Sequence, residues 1–386
     1  MKAHRRPGCR VAILLLLALG SARSWAQQST PSALSGSVVD AATSERLPGV
    51  NVFVAGTTLG AATDQAGQFH IPLPAQHQFD VVASMVGYQV ETRSLSSDAL
   101  PEGGLVFRLQ PIRLELNAVE VVAERPEAWA ENLARFSGLL FSRTSYGEQC
   151  ELVNPEILEL TYDEATDALE ASASEPLLID NHALGYRITM HAPSLVSAGG
   201  RVQWGGKLQF SELEGGNARA RRRWVRNRQR AYQGSTRHFL AALAAGHVAE
   251  EGFGAYYVSR PGDTSTGNPI DEMGLQWEDQ ATSPLLEDGP AEAVRTLRFS
   301  GFLYVTYVHE GEPREYVEIA YRNPDGSPPR RLATRPTQSS WLTLLNGFTR
   351  IDTQGNEYSA YSMKQYGYWA WERLGEQLPY DYRPDS

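Results

Sequence analysis

Residues 47–71, LPGVNVFVAGTTLGAATDQAGQFHI, break into short apolar runs separated by turn-forming residues. Val50 and Val52 alternate with polar or small neighbours, which is the period-two pattern of a half-buried strand. Asp64 and Gly67 bracket a two-residue tip, and Asp at the first position with Gly at the last suits a type I turn. The stretch therefore predicts strand, turn and strand. Turn geometry is the expected role of Asp64 and Gly67, and calcium or ligand binding is the alternative.

The same succession of short strands and turns extends from Leu34 to residue 111. The segments LSGSVVD, QFHIPL, FDVVASMVGYQVETRSL and LVFRLQ repeat the alternation, and Pro48-Gly49, Gly87 and Gly103-Gly104 separate them. About seven short strands in about 80 residues indicate a small antiparallel β-sandwich.

Two stretches of this region carry a family resemblance. GSVVDAATSERLPGVNVFVAGTTLGAATDQAGQFHI and VVASMVGYQV resemble the carboxypeptidase regulatory-like domain, a transthyretin-like β-sandwich common in exported proteins of Bacteroidota. The resemblance covers residues 33–111. It implies an accessory module of the kind attached to peptidases, outer-membrane receptors and other surface proteins, and it supplies no catalytic residues.

The N-terminus has the order of a secretory signal peptide. Basic residues such as Arg5 and Arg6 precede an apolar run from Val11 to Leu19, and small residues lead to Ala26. The run is about half of the roughly 20 residues that a membrane-spanning helix needs. We therefore expect cleavage after Ala26 and export to the periplasm, the outer membrane or the cell surface.

Cleavage would make an acidic protein more acidic. Residues 1–26 contain five basic and no acidic side chains, so the formal charge of −10 would become −15. This balance argues against a nucleic-acid-binding protein, which carries a basic footprint. One cysteine, Cys150, would remain, so no intramolecular disulfide is expected. Because no second long apolar segment follows, the mature chain is expected to lack a transmembrane helix.

The pattern changes after a break at Arg125-Pro126. PEAWAENLARFSGLLF has apolar residues at helical spacing, so a helix should open the second domain. Strand-like stretches dominate the rest, among them ILELTYD, YRITMHA, RVQWGGKLQFSEL and EYVEIAYR. The sequence therefore predicts a mainly β protein with four parts: a signal peptide (1–26), a seven-strand antiparallel sandwich of transthyretin-like or immunoglobulin-like type (33–111), a linker (112–126) and a larger β-rich α+β domain with two or three helices (127–386).

Catalytic patterns in the second domain are incomplete. His247 and Glu250 match the His-x-x-Glu pair of a zinc carboxypeptidase, but the family's Arg-Glu after the first His is missing. The one downstream histidine, His309, lies closer than that family places it. HExxH and GxSxG do not occur in the sequence. We therefore predict no catalytic residues, no metal site and no cofactor, and the alternative is a hydrolase, zinc carboxypeptidase-like or other, with an unrecognised site.

The segment after the first domain raises a third possibility, an outer-membrane receptor. LELNAVEVVAE, residues 114–124, resembles the short strand that links this module to the plug of TonB-dependent receptors. Such a receptor needs a plug and a barrel of about 22 strands of roughly ten residues each. About 260 residues follow the linker, so a complete receptor is not expected.

The most informative interior segment is ARARRRWVRNRQRAYQGSTRHFLAALAAGHVAEEGF. Seven arginines fall between Arg219 and Arg230. One interpretation is a solvated helix face that balances acidic neighbours; the other is a binding site for an anionic glycan, a lipid headgroup or an acidic partner. A second helix should begin at a Ser235 cap and end at Gly246. The candidate binding residues are Arg221, Arg222, Arg223, Trp224, Arg226, Tyr232 and His238.

Four stretches of the second domain carry another resemblance. CELVNPEIL, LLIDNHALGYRI, RQRAYQGSTRHFLAAL and IDTQGNEYSAYSMKQYGYWAWERLGEQLPYDY resemble blocks of exported Bacteroidota proteins that share the N-terminal module and have no assigned activity. Positions in these blocks that invite inspection are Asn181, Gly185, Tyr186, Tyr232, Ser235, His238, Trp369 and Glu372. The expected function is that of a non-catalytic cell-envelope protein that binds a glycan, a peptide or a partner protein, and peripheral association with the outer membrane stays open.

Overall fold

The computed structural model describes residues 33–112, 127–258, 277–278, 285–291, 293–321, 336–358 and 361–384. The expected signal peptide and most of the expected linker lie outside these residues. Ala33–Ser386 form one compact unit. Strands hold 42% of the described residues and helices 20%, so the prediction of a mainly β fold is confirmed.

The N-terminal module contains the seven predicted strands. They are β1 (Ala33–Asp40), β2 (Asn51–Val54), β3 (Gly60–Ala62), β4 (Gln68–Pro72), β5 (Gln78–Ser84), β6 (Glu91–Ser96) and β7 (Leu105–Leu109). The strands form two sheets with the orders β4-β1-β7 and β3-β2-β5-β6. All pairs are antiparallel except β1 with β7, because β6 belongs to the other sheet and the chain crosses over before β7 joins β1.

Alternating side chains build the core of this module. In β4, Phe69 and Ile71 are buried between the sheets while the residues on either side are exposed. In the preceding turn, the Asp64 carboxylate accepts two backbone N–H bonds, and Gly67 adopts a φ of +67°. These contacts confirm turn geometry as the role of Asp64 and Gly67.

The rest of the described chain contains further strands and all of its α-helices. The helices are α1 (Glu127–Phe141), α2 (Ala218–Tyr232), α3 (Thr236–Ala245), α4 (Arg314–Ala320) and α5 (Tyr368–Trp371). The strands are β8 (Cys150–Leu152), β9 (Glu159–Asp163), β10 (Ala168–Ser172), β11 (Leu177–Asn181), β12 (Tyr186–Ala198), β13 (Arg201–Glu212), β14 (Phe253–Val258), β15 (Trp277–Glu278), β16 (Leu286–Asp288), β17 (Val294–Arg298), β18 (Phe302–Tyr307), β19 (Gln338–Leu344), β20 (Phe348–Asp352) and β21 (Met363–Gly367).

These strands form three sheets. The first has the order β8-β11-β12-β10-β9 with β13 paired to β12, the second is β15-β14-β18-β19-β21, and the third is β16-β17-β20. Helix α1 packs on the first sheet through Phe136 and Leu140, as its apolar spacing predicts. Helix α3 buries Phe239 and Leu243 in a second core that includes β18 and β19. The helices predicted at these two positions are thus confirmed. The described part of this body contains five α-helices where two or three were predicted, and two of the five have seven residues or fewer.

Among the strands named above, the one predicted at EYVEIAYR is wrong. Most of EYVEIAYR lies in α4, where the neighbours Tyr316 and Val317 are both buried while Ile319 is 43% exposed. A strand would bury alternate residues, so this pattern fits a short helix instead. Pro313 directly precedes the helix, where its missing N–H removes no intrahelical hydrogen bond.

The N-terminal module is joined to the first sheet of the body by backbone hydrogen bonds. The Gly56 N–H donates to the Leu208 carbonyl oxygen at 2.6 Å, and the Phe210 N–H donates to the Thr57 carbonyl oxygen at 2.9 Å. The turn between β2 and β3 therefore pairs with β13 and covers part of its free edge, which removes unpaired backbone groups from that edge.

The C-terminal segment returns to the same turn. The Tyr380 N–H donates to the Gly56 carbonyl oxygen, and the Asp381 carboxylate accepts hydrogen bonds from the amide and hydroxyl groups of Thr58. The segment thus ties the two ends of the compact unit together. Over the described ranges, no helix has the length and apolarity needed to cross a bilayer.

Candidate binding surface on helix α2

Helix α2 forms locally and then docks along a narrow stripe. It begins after Asn217, whose side chain caps the first turn, and it continues through helix-favouring Ala, Arg and Gln residues to Tyr232. Its buried residues are Trp224, Arg228 and Ala231, which recur at helical spacing. The remaining circumference, including most of the arginines, faces outward.

The buried stripe is fastened to the turn between β11 and β12. Trp224, Asn227 and Arg228 donate side-chain hydrogen bonds to the four consecutive carbonyl oxygens of residues 182–185, at distances from 2.8 to 3.2 Å. Four bonds to successive backbone acceptors fix both the position and the rotation of the helix. The outward face is therefore held in one orientation.

Arg228 is a structural arginine. Its guanidinium carbon lies 3.8 Å from the ring centroid of Tyr186, and its Nη1 lies 2.7 Å from a carboxylate oxygen of Glu212. Backbone carbonyls satisfy its other donors. A buried guanidinium with ring, carboxylate and carbonyl contacts stabilises the docking of α2 and is not available to an external ligand.

Trp224 has a packing role in place of the predicted contact with a ligand. It is 7% exposed, and its indole fills a slot beside two glycines. A Cβ atom on Gly185 would lie 2.1 Å from the indole ring, and one on Gly216 would lie 2.3 Å from it. The sequence of α2 alone did not show that Trp224 is buried, because the two glycines that make room for its indole, Gly185 and Gly216, lie outside the helix.

Five exposed arginines form a continuous outward row, which we call the arginine face. They follow one another at intervals of three, one, three and four residues along α2 and extend over about 16 Å, at 1.5 Å per residue. The members of the arginine face are Arg219, Arg222, Arg223, Arg226 and Arg230. Arg221, also exposed, is not part of this row: at 3.6 residues per turn it lies on the other side of the helix, beside the buried stripe of Trp224 and Arg228.

The arginine face has few partners within the protein. Within the described ranges, the side chains of Arg219, Arg221, Arg222 and Arg226 make no ion pair and no hydrogen bond. Arg223 makes a long contact to a backbone carbonyl. Arg230 is hydrogen-bonded to Tyr146. Of the seven arginines on α2, Arg228 alone forms an ion pair within the described residues, with Glu212, so the interpretation in which these charges balance acidic neighbours is supported at that residue only.

The charge pattern of α2 works against the stability of the helix. Its first turn contains no acidic residue and holds Arg219, although the positive end of the helix dipole favours negative side chains there. Pairs such as Arg222 and Arg226 place like charges four residues apart, which costs a few tenths of a kcal/mol per pair. Arg230 lies in the last turn, where a cation is favoured, but the other members of the arginine face are not explained by helix stability.

Tyr232 and His238 pack together at the junction of α2 and α3, with ring centroids 5.0 Å apart. The Gly234 N–H donates to His238 Nδ1 at 3.1 Å, so Nε2 carries the proton and donates to the Glu251 carboxylate at 3.2 Å. Burial lowers the pKa of His238, which favours this neutral form. Because His238 is 7% exposed and both ring nitrogens are engaged, it belongs to the core.

Other residues from the second set of sequence blocks also have structural contacts. Ser235 accepts a hydrogen bond from the His238 N–H, which confirms it as the cap of α3. The Asn181 amide donates to the carbonyl oxygen of Gly375, and the Trp369 indole donates to that of Gly234. These contacts explain the polar and aromatic residues as connectors between distant segments.

An acidic cluster, Glu310, Glu372 and Glu376, was not predicted from the sequence. Burial raises the pKa of Glu310 to about 7, and burial together with the charge of Glu310 raises that of Glu376 to about 7. Burial and the charges of Glu376 and Glu310 raise the pKa of Glu372 well above its ordinary value. Glu372 was among the positions singled out in the sequence, but its grouping with Glu310 was not predicted, because Glu310 is remote from the other two in the chain.

The zinc-peptidase alternative gains no support from the described residues. His247 and Glu250 are both exposed, and the ring of His309 packs against Tyr307 with centroids 5.5 Å apart. In the part of the chain that the structure describes, no group of three or more His, Cys, Asp or Glu side chains could hold a metal ion.

A serine–histidine–aspartate group does form in the N-terminal module, but its geometry is not that of a catalytic triad. Ser97 Oγ lies 3.3 Å from His77 Nδ1, and Ser96 Oγ lies 3.1 Å from His77 Nε2. The Asp98 carboxylate is 3.8 Å from Nε2 and accepts a bond from Ser96 instead. A triad needs a direct carboxylate–imidazole hydrogen bond. These residues therefore form a hydrogen-bonded loop.

Comparison with known families bears on the N-terminal module. Residues 34–121 match the family model of the CarboxypepD_reg-like domain, which confirms the predicted resemblance for this part of the chain. A search among curated proteins gives no match to the chain. The protein thus carries a CarboxypepD_reg-like domain that is packed, through β13 and the C-terminal segment, onto a larger β-rich body that presents the arginine face.

Proposed function

We propose that the protein is a non-catalytic binding protein of the bacterial cell envelope and that the arginine face of α2 binds its anionic ligand. The observation that carries the proposal is the set of exposed guanidinium groups of Arg219, Arg222 and Arg226, which have no partner among the described residues, on a helix whose other side is fixed to the body. A surface held in one orientation loses little conformational freedom on binding.

Local charge supports this role in spite of the acidic balance of the chain. At physiological salt the Debye length is about 8 Å, so a ligand in contact with the arginine face experiences mainly its nearest charges. The net charge of −10 for the whole sequence weakens long-range attraction but leaves short-range contact to these guanidinium groups. Binding should therefore depend on this patch and fall with increasing salt.

The test compares two triple variants of equal charge. In the first, Arg219, Arg222 and Arg226 are replaced by Gln. In the control, exposed arginines outside α2 are replaced in the same way: Arg108, Arg201 and Arg350. Binding to immobilised polyanions of two kinds, a polyuronate and anionic phospholipid, is measured together with thermal unfolding.

We expect the α2 variant to lose most of its binding to at least one polyanion while its melting temperature stays within a few degrees of the parent. The control should bind like the parent. Equal loss in both variants would assign the effect to net charge, and unchanged binding by the α2 variant would contradict the proposal.

A further inference from the structure

Resting on the proposed function, we infer that the arginine face is a docking surface for phosphate groups of an anionic phospholipid layer. The protein would lie on such a layer through α2 without inserting a hydrophobic segment. Three features of the helix favour a phosphate layer over an acidic polysaccharide: the type of cation, the shape of the surface, and the side chains that are missing from it.

The cations on α2 are all arginines. A guanidinium group presents a planar fork of N–H donors that matches the oxygens of a phosphate in a bidentate manner, whereas a lysine ammonium is a more strongly hydrated point charge. Arg219, Arg222 and Arg226 have their donors unoccupied by the described part of the protein. Each can therefore engage a phosphate without first breaking an internal bond.

The arginine face lies on the outward side of a helix of 15 residues. A convex row of this length can touch several headgroups of a layer at once. Recognition of a sugar ring would instead be helped by an exposed aromatic side chain. On α2 the indole of Trp224 is buried and Tyr232 packs against His238, so neither offers a free ring face.

The apolar side chains of α2 indicate contact without deep insertion. Val225 is its one exposed large hydrophobic residue, at 48% exposure. Interfacial helices that insert present a broad apolar face to the acyl chains, and α2 uses its apolar stripe to dock on the body. Attraction should therefore come from basic residues near the surface, each worth about a fivefold gain in binding at low salt.

The experiment is vesicle co-sedimentation of the mature chain, with EDTA present so that divalent cations cannot bridge two acidic surfaces. The vesicles contain phosphatidylglycerol and phosphatidylcholine in equal parts, or phosphatidylcholine alone, and a polyuronate serves as the competing polyanion. The parent is compared with the triple variants described above, R219Q/R222Q/R226Q and R108Q/R201Q/R350Q.

We expect the parent and the control to bind phosphatidylglycerol vesicles and not phosphatidylcholine vesicles. The α2 variant should bind more than tenfold more weakly. Raising the salt from 0.1 M to 1 M shortens the Debye length from about 10 Å to about 3 Å and should release the protein.

The outcomes separate the two proposals. Binding of the polyuronate through α2 without binding of phosphatidylglycerol would overturn the lipid inference and leave the proposed function standing. Binding of neither polyanion would overturn both. Vesicle binding that the α2 variant retains would show that another surface contacts the lipid, which would also overturn the inference.

Discussion

The Gly56 carbonyl oxygen accepts a hydrogen bond from the Tyr380 N–H at 2.7 Å, and the Tyr380 ring lies against the Gly56 backbone. Gly56 adopts a φ of +76°, and a Cβ atom at this position would lie 2.6 Å from the ring. The glycine therefore serves two purposes: it permits the turn between β2 and β3, and it makes room for the C-terminal segment that ties the module to the body.

Substitution of Gly56 by Ala should lower the free energy of unfolding by about 2–4 kcal/mol, because the strain of a left-handed residue adds to the overlap with Tyr380. The matched control is Gly49→Ala, since Gly49 has a φ of +74° and a Cβ atom there would meet no other atom within 4 Å. The control should cost only about 1–2 kcal/mol. Urea unfolding measures both, and equal losses would contradict the packing role of Tyr380.

Arg237 holds the C-terminal segment through backbone acceptors. Its guanidinium donates to the carbonyl oxygens of residues 354, 379, 380 and 382, at distances from 2.8 to 3.3 Å. A lysine at position 237 cannot reach all four carbonyl oxygens. Arg237→Lys should therefore lower the free energy of unfolding by about 2–4 kcal/mol, because buried carbonyls lose their charged donor. Arg222→Lys, at an exposed position, should stay within about 0.5 kcal/mol. Similar melting temperatures for both variants would refute this assignment.

His191 should make the protein less stable in acid. It is 3% exposed, its ring stacks on Phe53 at 4.6 Å, and Nδ1 lies 2.9 Å from Ser84 Oγ. Burial lowers its pKa from 6.5 to about 4. Stability from the neutral ring is thus complete above pH 6.5 and is lost as the pH falls toward 4, by about 3 kcal/mol.

The measurement is the free energy of unfolding between pH 4 and pH 7. His191→Gln should flatten the fall, whereas His70→Gln, at an exposed position, should leave it unchanged. An unaltered slope in His191→Gln would show that another group controls the acid sensitivity.

The acidic cluster should have the opposite effect. Because burial raises the pKa of Glu376 to about 7, its folded form favours the proton. The protonated Glu376 contributes its full share to the free energy of unfolding below pH 4.5. This stability is lost as the pH rises through 7, by about 3 kcal/mol. Glu376→Gln should reduce the loss of stability between pH 5 and pH 8. Glu148→Gln, at an exposed position, is the control. If the free energy of unfolding of Glu376→Gln changed with pH as it does in the parent, Glu376 would not be the source of this pH dependence.

Local patterns explain which parts of the fold were predictable. The turn at Asp64 and Gly67, the cap at Ser235 and the opening helix α1 all depend on residues close together in the sequence. The strand expected near Tyr316 failed for the complementary reason, since a short apolar run fits a helix or a strand until its burial is known.

The sequence by itself determined the mainly β class, the CarboxypepD_reg-like module and the presence of an arginine-rich helix. These features depend on apolar–polar alternation, turn-forming residues and charge among residues that are neighbours in the chain. Tertiary structure decided which of those arginines are free. It buried Trp224 against Gly185 and bound Arg228 to the same turn, while Arg222 and Arg226 stayed outside. It also gathered Glu310 with remote glutamates. Burial and charge coupling depend on contacts between segments far apart in the chain, and a sequence pattern does not specify those contacts.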